Sequence, residues 1–263
     1  MPAPTIFAMG GGGFLTDPAD AALERYILGL VEKAEPRICF LPTASGDRQE
    51  QVVRFHAAFD PLPCHAEALE LFRLDGRDVD LRKHMLAQDI VYVGGGSMRN
   101  MLAIWREHAL DRILPEAWQR GVVLCGLSAG SMCWFRYGVT KSGGMPEVVA
   151  GLGLIPASNS VHWSAQPDRR AAYEAAVAGG LEPGWGVDDG AGLRFTGTDL
   201  TEAVTARAEA AAYRVQRRNG AADVAPVQTR YLGAPDSDVK APAPEITELR
   251  ELRAAQRGGR FGR

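Results

Sequence analysis

The chain has 263 residues, of which 46% are apolar and 23% are charged, with a net charge of −3 and four cysteines. This composition is that of a globular protein with a substantial core, and the near-neutral charge gives no reason to expect nucleic acid or an anionic membrane as a partner. No apolar run approaches the roughly 20 residues that span a bilayer, and the N-terminus lacks the features of a signal peptide. The cysteines have neither C-x-x-C spacing nor the density of a disulfide scaffold. We therefore expect a cytoplasmic protein with free thiols and no structural metal.

Short apolar runs alternate with helical patterns along the first half of the chain. The predicted strands are residues 5–10, 37–45, 66–72, 89–97 and 122–128. The predicted helices lie between them, at residues 17–34, 48–59, 78–88 and 98–121. Pro115 is expected to start a new helix within the last of these. Near-continuous apolar strands separated by helices predict a doubly wound α/β fold, with a mostly parallel sheet covered by helices on both faces.

The pattern loosens after Ile155. Two late strands are predicted at residues 186–195 and 211–218, antiparallel or at a sheet edge. Beyond them the chain becomes rich in Ala, Pro, Asp and Arg, and it ends in a charged helical pattern followed by a Gly/Arg tail. We therefore expect one α/β domain over residues 1–218 and a partly irregular C-terminal extension over residues 219–263.

Three glycine-rich turns follow predicted strands, at residues 10–13, 94–96 and 126–130. Ligands of parallel α/β sheets bind at the carboxyl ends of the strands, so several glycine turns at one edge indicate a site. The third turn contains Ser128 in G-x-S-x-G spacing. That spacing fits a nucleophile elbow, in which glycines keep neighbouring side chains away from a strained serine. It also fits a tight strand-to-helix turn in which the serine caps the next helix.

A serine hydroxyl needs an adjacent base to act as a nucleophile, and histidine is the usual base at neutral pH. Of the five histidines only His162 comes after Ser128, in the polar stretch SNSVHWSAQPDRR. An α/β-hydrolase would have its acid between the two, where the only acid is Glu147, so an ordinary esterase or lipase fits poorly. The candidate acids come after the histidine, at Asp188 and Asp189 in GWGVDDGAG. A simple turn before a glycine is the alternative interpretation of that pair.

Several stretches together resemble the dipeptidase E (α-aspartyl dipeptidase) family of serine peptidases, whose relatives include cyanophycinase. They are the segment from YVGGGS to GLSAGSMCWF, then GLGLIP, VHW…PDRR and VDDGAGL, within a resemblance that runs from about Ile6 to Arg214. The family's fold is akin to that of the class I glutamine amidotransferases, whose nucleophile is cysteine instead of serine. The resemblance implies a peptidase that needs no metal or organic cofactor.

The resemblance also implies roles for individual residues. Ser128 stands at the position of the family's nucleophile and His162 at that of its base. Gly95 and Gly96, with the backbone N–H of Ala129, would form the oxyanion hole. The G-x-S-x-G spacing and the family position thus indicate the same serine.

Further positions bear on the acid and on the substrate. Asp189 stands where relatives carry Glu or Asp, and we expect it to orient the histidine. The acid that the family often has shortly after its serine is missing, because that stretch begins with Lys141. Arg169 stands where the family has an arginine associated with acidic substrates. Ser97 replaces the asparagine that relatives have after the glycine turn, at the substrate end of the site.

We therefore predict a serine peptidase that hydrolyses dipeptides or short peptides, with a preference for acidic residues as one option. The enzymatic alternatives are a cyanophycinase-like isopeptide hydrolase and a C-terminal-residue peptidase. The alternative from another class is a ligand-binding protein that kept the fold without catalysis. The expected partners are small peptides, with no nucleic acid and no membrane, and the oligomeric state is left open, a homodimer included.

Overall fold

The computed structural model describes residues 3–15, 21–74 and 79–233. The strands in these residues are β1 (Thr5–Met9), β2 (Arg37–Leu41), β3 (His65–Ala68), β4 (Ile90–Val93), β5 (Val123–Leu127), β6 (Phe135–Thr140), β7 (Glu147–Ala150), β8 (Ile155–Val161), β9 (Gly184–Val187), β10 (Ala191–Thr196), β11 (Asp199–Thr205), β12 (Ala212–Arg218), β13 (Ala221–Val227) and β14 (Arg230–Tyr231). The helices are α1 (Ala22–Leu28), α2 (Gln49–Phe59), α3 (Leu81–Leu86), α4 (Met98–Glu107), α5 (Leu110–Gln119), α6 (Ala129–Met132) and α7 (Pro167–Ala178). No helix in the described ranges is long and apolar enough to cross a bilayer.

Eight of the strands form one sheet, in the order β14-β11-β10-β1-β5-β4-β2-β3. The run β1-β5-β4-β2-β3 is parallel throughout, and β10 joins β1 in antiparallel register. These five parallel strands are the five that the apolar runs predict. The prediction of a mostly parallel α/β sheet is therefore confirmed.

The parallel strands β1, β2, β4 and β5 are buried on both faces. Along β1, Ile6 and Ala8 point into one core cluster, and Phe7 and Met9 point into another, because successive side chains of a strand alternate between faces. The first cluster includes side chains of α3, α4 and α5, and the second includes side chains of α1 and α2. Helices therefore cover both faces, as a doubly wound fold requires.

A second sheet of six strands, in the order β13-β12-β9-β8-β6-β7, is not predicted by the sequence. Its central strand β8 lacks an apolar run, because it contains Ser158, Asn159 and Ser160. All three of these polar residues are buried. Hydrogen bonds satisfy part of this polarity: Ser158 Oγ lies 2.6 Å from the Tyr173 hydroxyl, and Asn159 Nδ2 donates to Ser131 Oγ at 3.0 Å. The strand is therefore stable inside the protein although its composition resembles that of a loop.

The strand predicted at residues 186–195 is two strands in different sheets. β9 belongs to the six-stranded sheet and β10 to the eight-stranded sheet, and residues 188–190 connect them. Gly190 has a φ of 86°, a left-handed value that glycine adopts without strain. The prediction that the late strands are antiparallel is confirmed for β10 and β12, although β10 lies inside its sheet.

The prediction that Pro115 starts a helix is wrong. The break between α4 and α5 lies at Ala109, whose φ of 57° is left-handed, and Pro115 lies inside α5. Leu110 and Leu114 of that helix are fully buried in the core. We attribute the continuity of α5 to this burial, which outweighs the one backbone hydrogen bond that proline removes.

Paired strands continue on both sides of residue 218, the predicted domain boundary. β12 and β13 form a hairpin in which Arg218 pairs with Ala221, and β14 pairs with β11 up to Tyr231. The charged helix and Gly/Arg tail predicted at the C-terminus lie outside the described residues. The C-terminal extension itself stays a prediction.

Truncation of Phe55 tests the helix-covered face of the sheet. This side chain is fully buried, stacks on Phe40 with ring centroids 4.8 Å apart, and meets Phe14 edge-on at 5.8 Å. Phe55→Ala should lower the free energy of unfolding by about 3–5 kcal/mol, measured by urea denaturation, because it leaves a cavity in a packed core. Phe72, which is 53% exposed, is the matched control, and Phe72→Ala should change stability by less than about 0.5 kcal/mol. Similar losses for both variants would contradict the assignment of the core.

Candidate active site

Ser128 stands on a strained turn between β5 and α6. Its φ is 55°, a left-handed value that is unusual for a residue with a side chain. The flanking glycines have no room for a Cβ, which would lie 2.4 Å from the Gly130 carbonyl oxygen at Gly126 and 2.2 Å from the Val93 carbonyl oxygen at Gly130. The Ser128 side chain makes no capping hydrogen bond to α6. Of the two interpretations that the spacing allows, the geometry fits the nucleophile elbow.

Ser128, His162 and Asp189 form a continuous hydrogen-bonded relay. Ser128 Oγ lies 2.9 Å from His162 Nε2, and His162 Nδ1 lies 2.5 Å from Asp189 Oδ1. An ionised carboxylate can only accept a hydrogen bond, so Nδ1 carries the imidazole proton and Nε2 is left as the acceptor for the serine hydroxyl. The fold thus brings together three residues that are far apart in the sequence.

The Asp189 carboxylate is stabilised in its ionised form. Burial alone would raise its pKa, but the hydrogen bond and charge of His162 lower it. The positive charges of Arg207 and Arg169 act in the same direction, and the pKa of Asp189 ends below its ordinary value. The group is therefore an acceptor at neutral pH, as the relay requires.

Asp188, the neighbouring acid, faces away from the histidine. Its Oδ1 accepts the backbone N–H of Ser164 at 2.8 Å, and its Oδ2 accepts that of Ala211 at 3.1 Å. Adjacent residues of an extended segment point to opposite sides, so only one of the two acids can meet His162. Asp188 instead ties together two loops, and it is 6% exposed.

The glycine turn after β1 makes room for the relay. A Cβ on Gly11 would lie 2.2 Å from Asp189 Oδ1 and 2.8 Å from His162 Cε1. The turn also holds the segment that carries the acid, since Gly190 donates its N–H to the Gly11 carbonyl at 3.0 Å. The first glycine motif therefore has a steric function in the site.

The glycine turn after β4 lies against the elbow. A Cβ on Gly95 would lie 3.3 Å from Ser128 Cβ, and Gly96 has a φ of 147° with the Ala44 carbonyl oxygen 2.1 Å from a Cβ position. The N–H groups of Gly95 and Gly96 make no hydrogen bond within the part of the chain that the structure describes. Helix α6 begins at Ala129, whose N–H has no partner within the helix. Gly95 and Gly96 are open to a ligand in the cleft described below, whereas Ala129 is fully buried.

A cleft of about 460 Å³ contains these groups. Its lining includes Gly11, Gly12, Gly95, Gly96, Ser128 and His162. The three glycine turns predicted to mark a site therefore meet at one cleft, at the carboxyl ends of the parallel strands. The volume is in the range of small-molecule sites.

The two residues predicted to contact substrate differ in position. Ser97 lines the cleft, and its Oγ also accepts the backbone N–H of Asn100 at 3.3 Å as the cap of α4. Arg169 does not line the cleft, because it is 6% exposed and its guanidinium donates to the Val161 carbonyl at 3.5 Å. Its charge acts on Asp189 instead.

Two polar residues that line the cleft, Arg48 and Gln51, were not singled out from the sequence. Arg48 is exposed, and no hydrogen bond or ion pair of its guanidinium occurs within the described ranges. Gln51 Nε2 donates to the Gly95 carbonyl at 3.4 Å, and its buried Oε1 has no partner among the described residues. Both residues follow the carboxyl end of β2. Because ligands bind at the carboxyl ends of parallel strands, this position in the sequence could have identified them.

A larger cavity of about 740 Å³ lies at the other end of the eight-stranded sheet, where β1 and β5 begin. Its wall includes Thr5, Val123 and the ion pair of Lys33 with Asp89 at 2.6 Å. No serine, cysteine or histidine is found among the described residues that line it. The chemistry is therefore assigned to the smaller cleft.

A comparison with known families agrees with this geometry. Residues 6–203 match the sequence model of peptidase family S51. The chain belongs to peptidase family S51. The resemblance to dipeptidase E is thereby confirmed at the level of the family, and the chain is a serine peptidase.

Individual members and solved structures extend this finding. The uncharacterized peptidase YgaJ of Bacillus subtilis (strain 168) is 43% identical over 229 residues, which are 87% of this chain and 99% of that protein. The crystal structure of a peptidase from an acI-B1 actinobacterium superposes with a TM-score of 0.63 at 18% identity, over 85% of this chain and 94% of the other. A Listeria monocytogenes EGD-e protein described as a candidate peptidase E has a TM-score of 0.57 at 15% identity, over 76% and 97% of the two chains. The two structures show that this S51 peptidase shares their fold.

Filling the space at Gly11 tests the steric function of the first glycine turn. In Gly11→Ala the new methyl group would displace Asp189 and His162, so kcat should fall by about 100-fold, because small misplacements of catalytic groups have effects of that size. Gly143→Ala is the control, since the nearest atom to its Cβ is 3.9 Å away, and its kcat should stay close to that of the wild type. An unchanged kcat in Gly11→Ala would show that the turn does not shape the relay.

Proposed function

We propose that this S51 peptidase hydrolyses dipeptides or short peptides with Ser128 as nucleophile, His162 as base and Asp189 as the orienting acid. The observation that carries the proposal is the relay, in which each imidazole nitrogen faces one partner at 2.9 Å and 2.5 Å. The nitrogen on the acid side holds a proton, and the nitrogen on the serine side is free to accept one. This is the arrangement that serine hydrolases need.

In the first half of the reaction, Ser128 Oγ attacks the carbonyl carbon of the scissile peptide bond while its proton passes to His162 Nε2. The carbonyl π electrons move to the oxygen, which becomes an oxyanion. The N–H groups of Ala129 and of the Gly95–Gly96 turn would stabilise that charge, each at about 100- to 1,000-fold in rate. The tetrahedral carbon then expels the leaving amine, which takes the proton from Nε2.

In the second half, a water molecule attacks the acyl-enzyme. His162 Nε2 accepts a proton from the water, whose oxygen bonds to the acyl carbon, and then returns the proton to Ser128 Oγ as the ester bond breaks. Asp189 accepts the hydrogen bond from Nδ1 throughout and stabilises the imidazolium that forms in each half. The products are a peptide carboxylate and an amine.

Replacement of the nucleophile tests the function directly. Ser128→Ala should lower kcat by about 10⁴-fold or more, since no hydroxyl oxygen is then left to attack the carbonyl carbon, and the circular dichroism spectrum should be unchanged. A fluorophosphonate probe should label the wild type at Ser128 and leave the variant unlabelled. Retention of a tenth of the wild-type activity, or no labelling of the wild type, would favour a ligand-binding protein or a different nucleophile.

The two neighbouring acids form a matched pair. Asp189→Asn should lower kcat by about 10³- to 10⁴-fold with the melting temperature little changed, because an amide at this position no longer fixes the productive tautomer. Asp188→Asn should have the opposite profile, with near-normal kcat and lower stability, because Asp188 accepts two backbone N–H groups. A larger loss of kcat in Asp188→Asn would transfer the orienting role to that residue.

We also propose that the substrate carries a carboxylate close to the scissile bond, with an acidic side chain as the first candidate. Arg48 supplies the argument, because it lines the cleft with a charge that no acidic side chain of the described chain neutralises. Helix α4 begins beside the same cleft at the capping residue Ser97, and the partial positive charge of a helix N-terminus favours an anion. The charge of Asp189 is meanwhile engaged by His162.

Removal of this charge should change specificity without changing the chemistry. Arg48→Gln should raise KM for Asp-Ala by roughly 10-fold or more and leave Asn-Ala nearly unaffected, because a charged hydrogen-bond pair contributes about 1.5–3 kcal/mol. Arg54→Gln is the control, because Arg54 lies on α2, the helix that begins directly after Arg48, and contacts Glu50 and the Leu15 carbonyl. Equal effects on Asp-Ala and Asn-Ala would show that Arg48 binds the C-terminal carboxylate, as in a C-terminal-residue peptidase. In that case a dipeptide whose C-terminal carboxylate is converted to an amide should show the same rise in KM with the wild-type enzyme.

A further inference from the structure

Three metal-binding side chain types meet outside the catalytic cleft. Cys39 lies on β2, Glu67 on the edge strand β3 and His84 on α3. The parallel pairing of β2 with β3 places Cys39 beside Glu67, so both side chains leave the same face of the sheet. None of the three residues lines the Ser128 cleft. This group is called the Cys39 cluster below.

The donor atoms of the Cys39 cluster converge on one point. His84 Nε2 lies 3.9 Å from Cys39 Sγ and 3.2 Å from Glu67 Oε1, and all three atoms are within 4.8 Å of one another. Zinc binds sulfur at about 2.3 Å and nitrogen or oxygen at about 2.0–2.2 Å, which places tetrahedral ligands roughly 3.3–3.7 Å apart. The two separations from His84 Nε2 are close to these values, and the separation of Cys39 Sγ from the Glu67 oxygen is at most 4.8 Å.

The geometry differs from that of a catalytic relay. In the Ser128 site the serine and the acid face different nitrogens of His162, as proton transfer along a chain requires. In the Cys39 cluster the thiol and the carboxylate both face the same nitrogen, Nε2 of His84. Several donors directed at one point are what a cation needs, and a Cys-His-Glu nucleophile relay is excluded by the same observation.

We propose that Cys39, Glu67 and His84 form a zinc site that is separate from the catalytic machinery. Thiolate, imidazole and carboxylate are all zinc ligands, and this mixed set of one soft and two harder donors suits Zn²⁺ better than Mg²⁺ or Ca²⁺. Cys39 is fully buried, whereas the side chains of His84 and Glu67 are 27% and 40% exposed. Solvent therefore reaches the fourth position, where a water molecule completes the tetrahedron.

Gln88 supports the site from outside the ligand shell. Its Nε2 donates to Glu67 Oε1 at 2.5 Å and to the His84 carbonyl at 3.2 Å, and Gln88 is 4% exposed. Such outer contacts orient ligands before the ion arrives. When Zn²⁺ binds, the Cys39 S–H bond breaks, the proton leaves to solvent and the sulfur bonds to the metal. The ion then ties the edge strand β3 to β2 and α3.

Cobalt spectroscopy tests the site, because Co²⁺ substitutes for Zn²⁺ and gives a thiolate charge-transfer band when a cysteine sulfur binds it. Full-length protein stripped with a chelator should take up one equivalent of Co²⁺ with that band, and Zn²⁺ should then remove the band by displacing Co²⁺. Zn²⁺ at 100-fold above its Kd should raise the melting temperature by about 5–10 °C.

The variants identify the ligands. Cys39→Ala and His84→Gln should each abolish the band and the thermal shift, and Glu67→Gln should weaken both. Cys64→Ala and His65→Gln should retain them, and so should His162→Ala, which excludes binding at the catalytic histidine. His84→Gln keeps the proposal testable if Cys39→Ala does not fold, since His84 is partly exposed. Absence of the band in the wild type, or its persistence in Cys39→Ala or His84→Gln, would overturn the proposal.

Discussion

The site depends on the close approach of the Val93 carbonyl to the turn around Ser128. A Cβ would lie 2.7 Å from that oxygen at Gly126 and 2.2 Å from it at Gly130, so either side chain would push the elbow away from β4. The turn that carries Gly95 begins directly after Val93, and α6 begins directly after Ser128. One backbone contact therefore sets the distance between the two sources of backbone N–H donors. Glycine at both positions is the condition under which Ser128 and these donors can approach one another.

The relay depends on a second constraint, the passage of the chain from one sheet to the other. Ser128 follows β5 of the eight-stranded sheet, and His162 follows β8 of the six-stranded sheet. The segment that carries Asp189 joins the two sheets, and it is held by a bridge to Gly11 and by the carboxylate of Asp188. His162 has a left-handed φ of 54°, so the proposed base, like the proposed nucleophile Ser128, lies on a strained turn just after a strand. The strained conformations of Ser128 and His162 are maintained because hydrogen bonds of the surrounding backbone hold both residues in place.

The sequence predicts those parts of the fold that local chemistry determines. Four of the five parallel strands, β1, β2, β4 and β5, are apolar on both faces, so their runs are visible without any tertiary information. Ser128 and His162 stand out through glycine spacing and chain order, and the choice of Asp189 follows from strand alternation and its family position. The second sheet was missed because β8 is polar and its hydrogen-bond partners come from distant segments. For the same reason no spacing rule reveals the Cys39 cluster, because Cys39 and Glu67 meet through strand pairing and His84 reaches them from α3.

The arginines show that a family position in the sequence does not by itself determine what a residue does in the site. Arg169 carries the family's association with acidic substrates, yet it is buried and acts on the Asp189 carboxylate together with Arg207. An acidic substrate would be repelled by an uncompensated Asp189, because like charges at short range disfavour one another. For such a substrate the positive charges of Arg207 and Arg169 would offset the repulsion, and Arg48 in the cleft would supply the attraction. We infer that recognition of a carboxylate here is divided between the residue that would contact it and the residues that neutralise the relay's own charge.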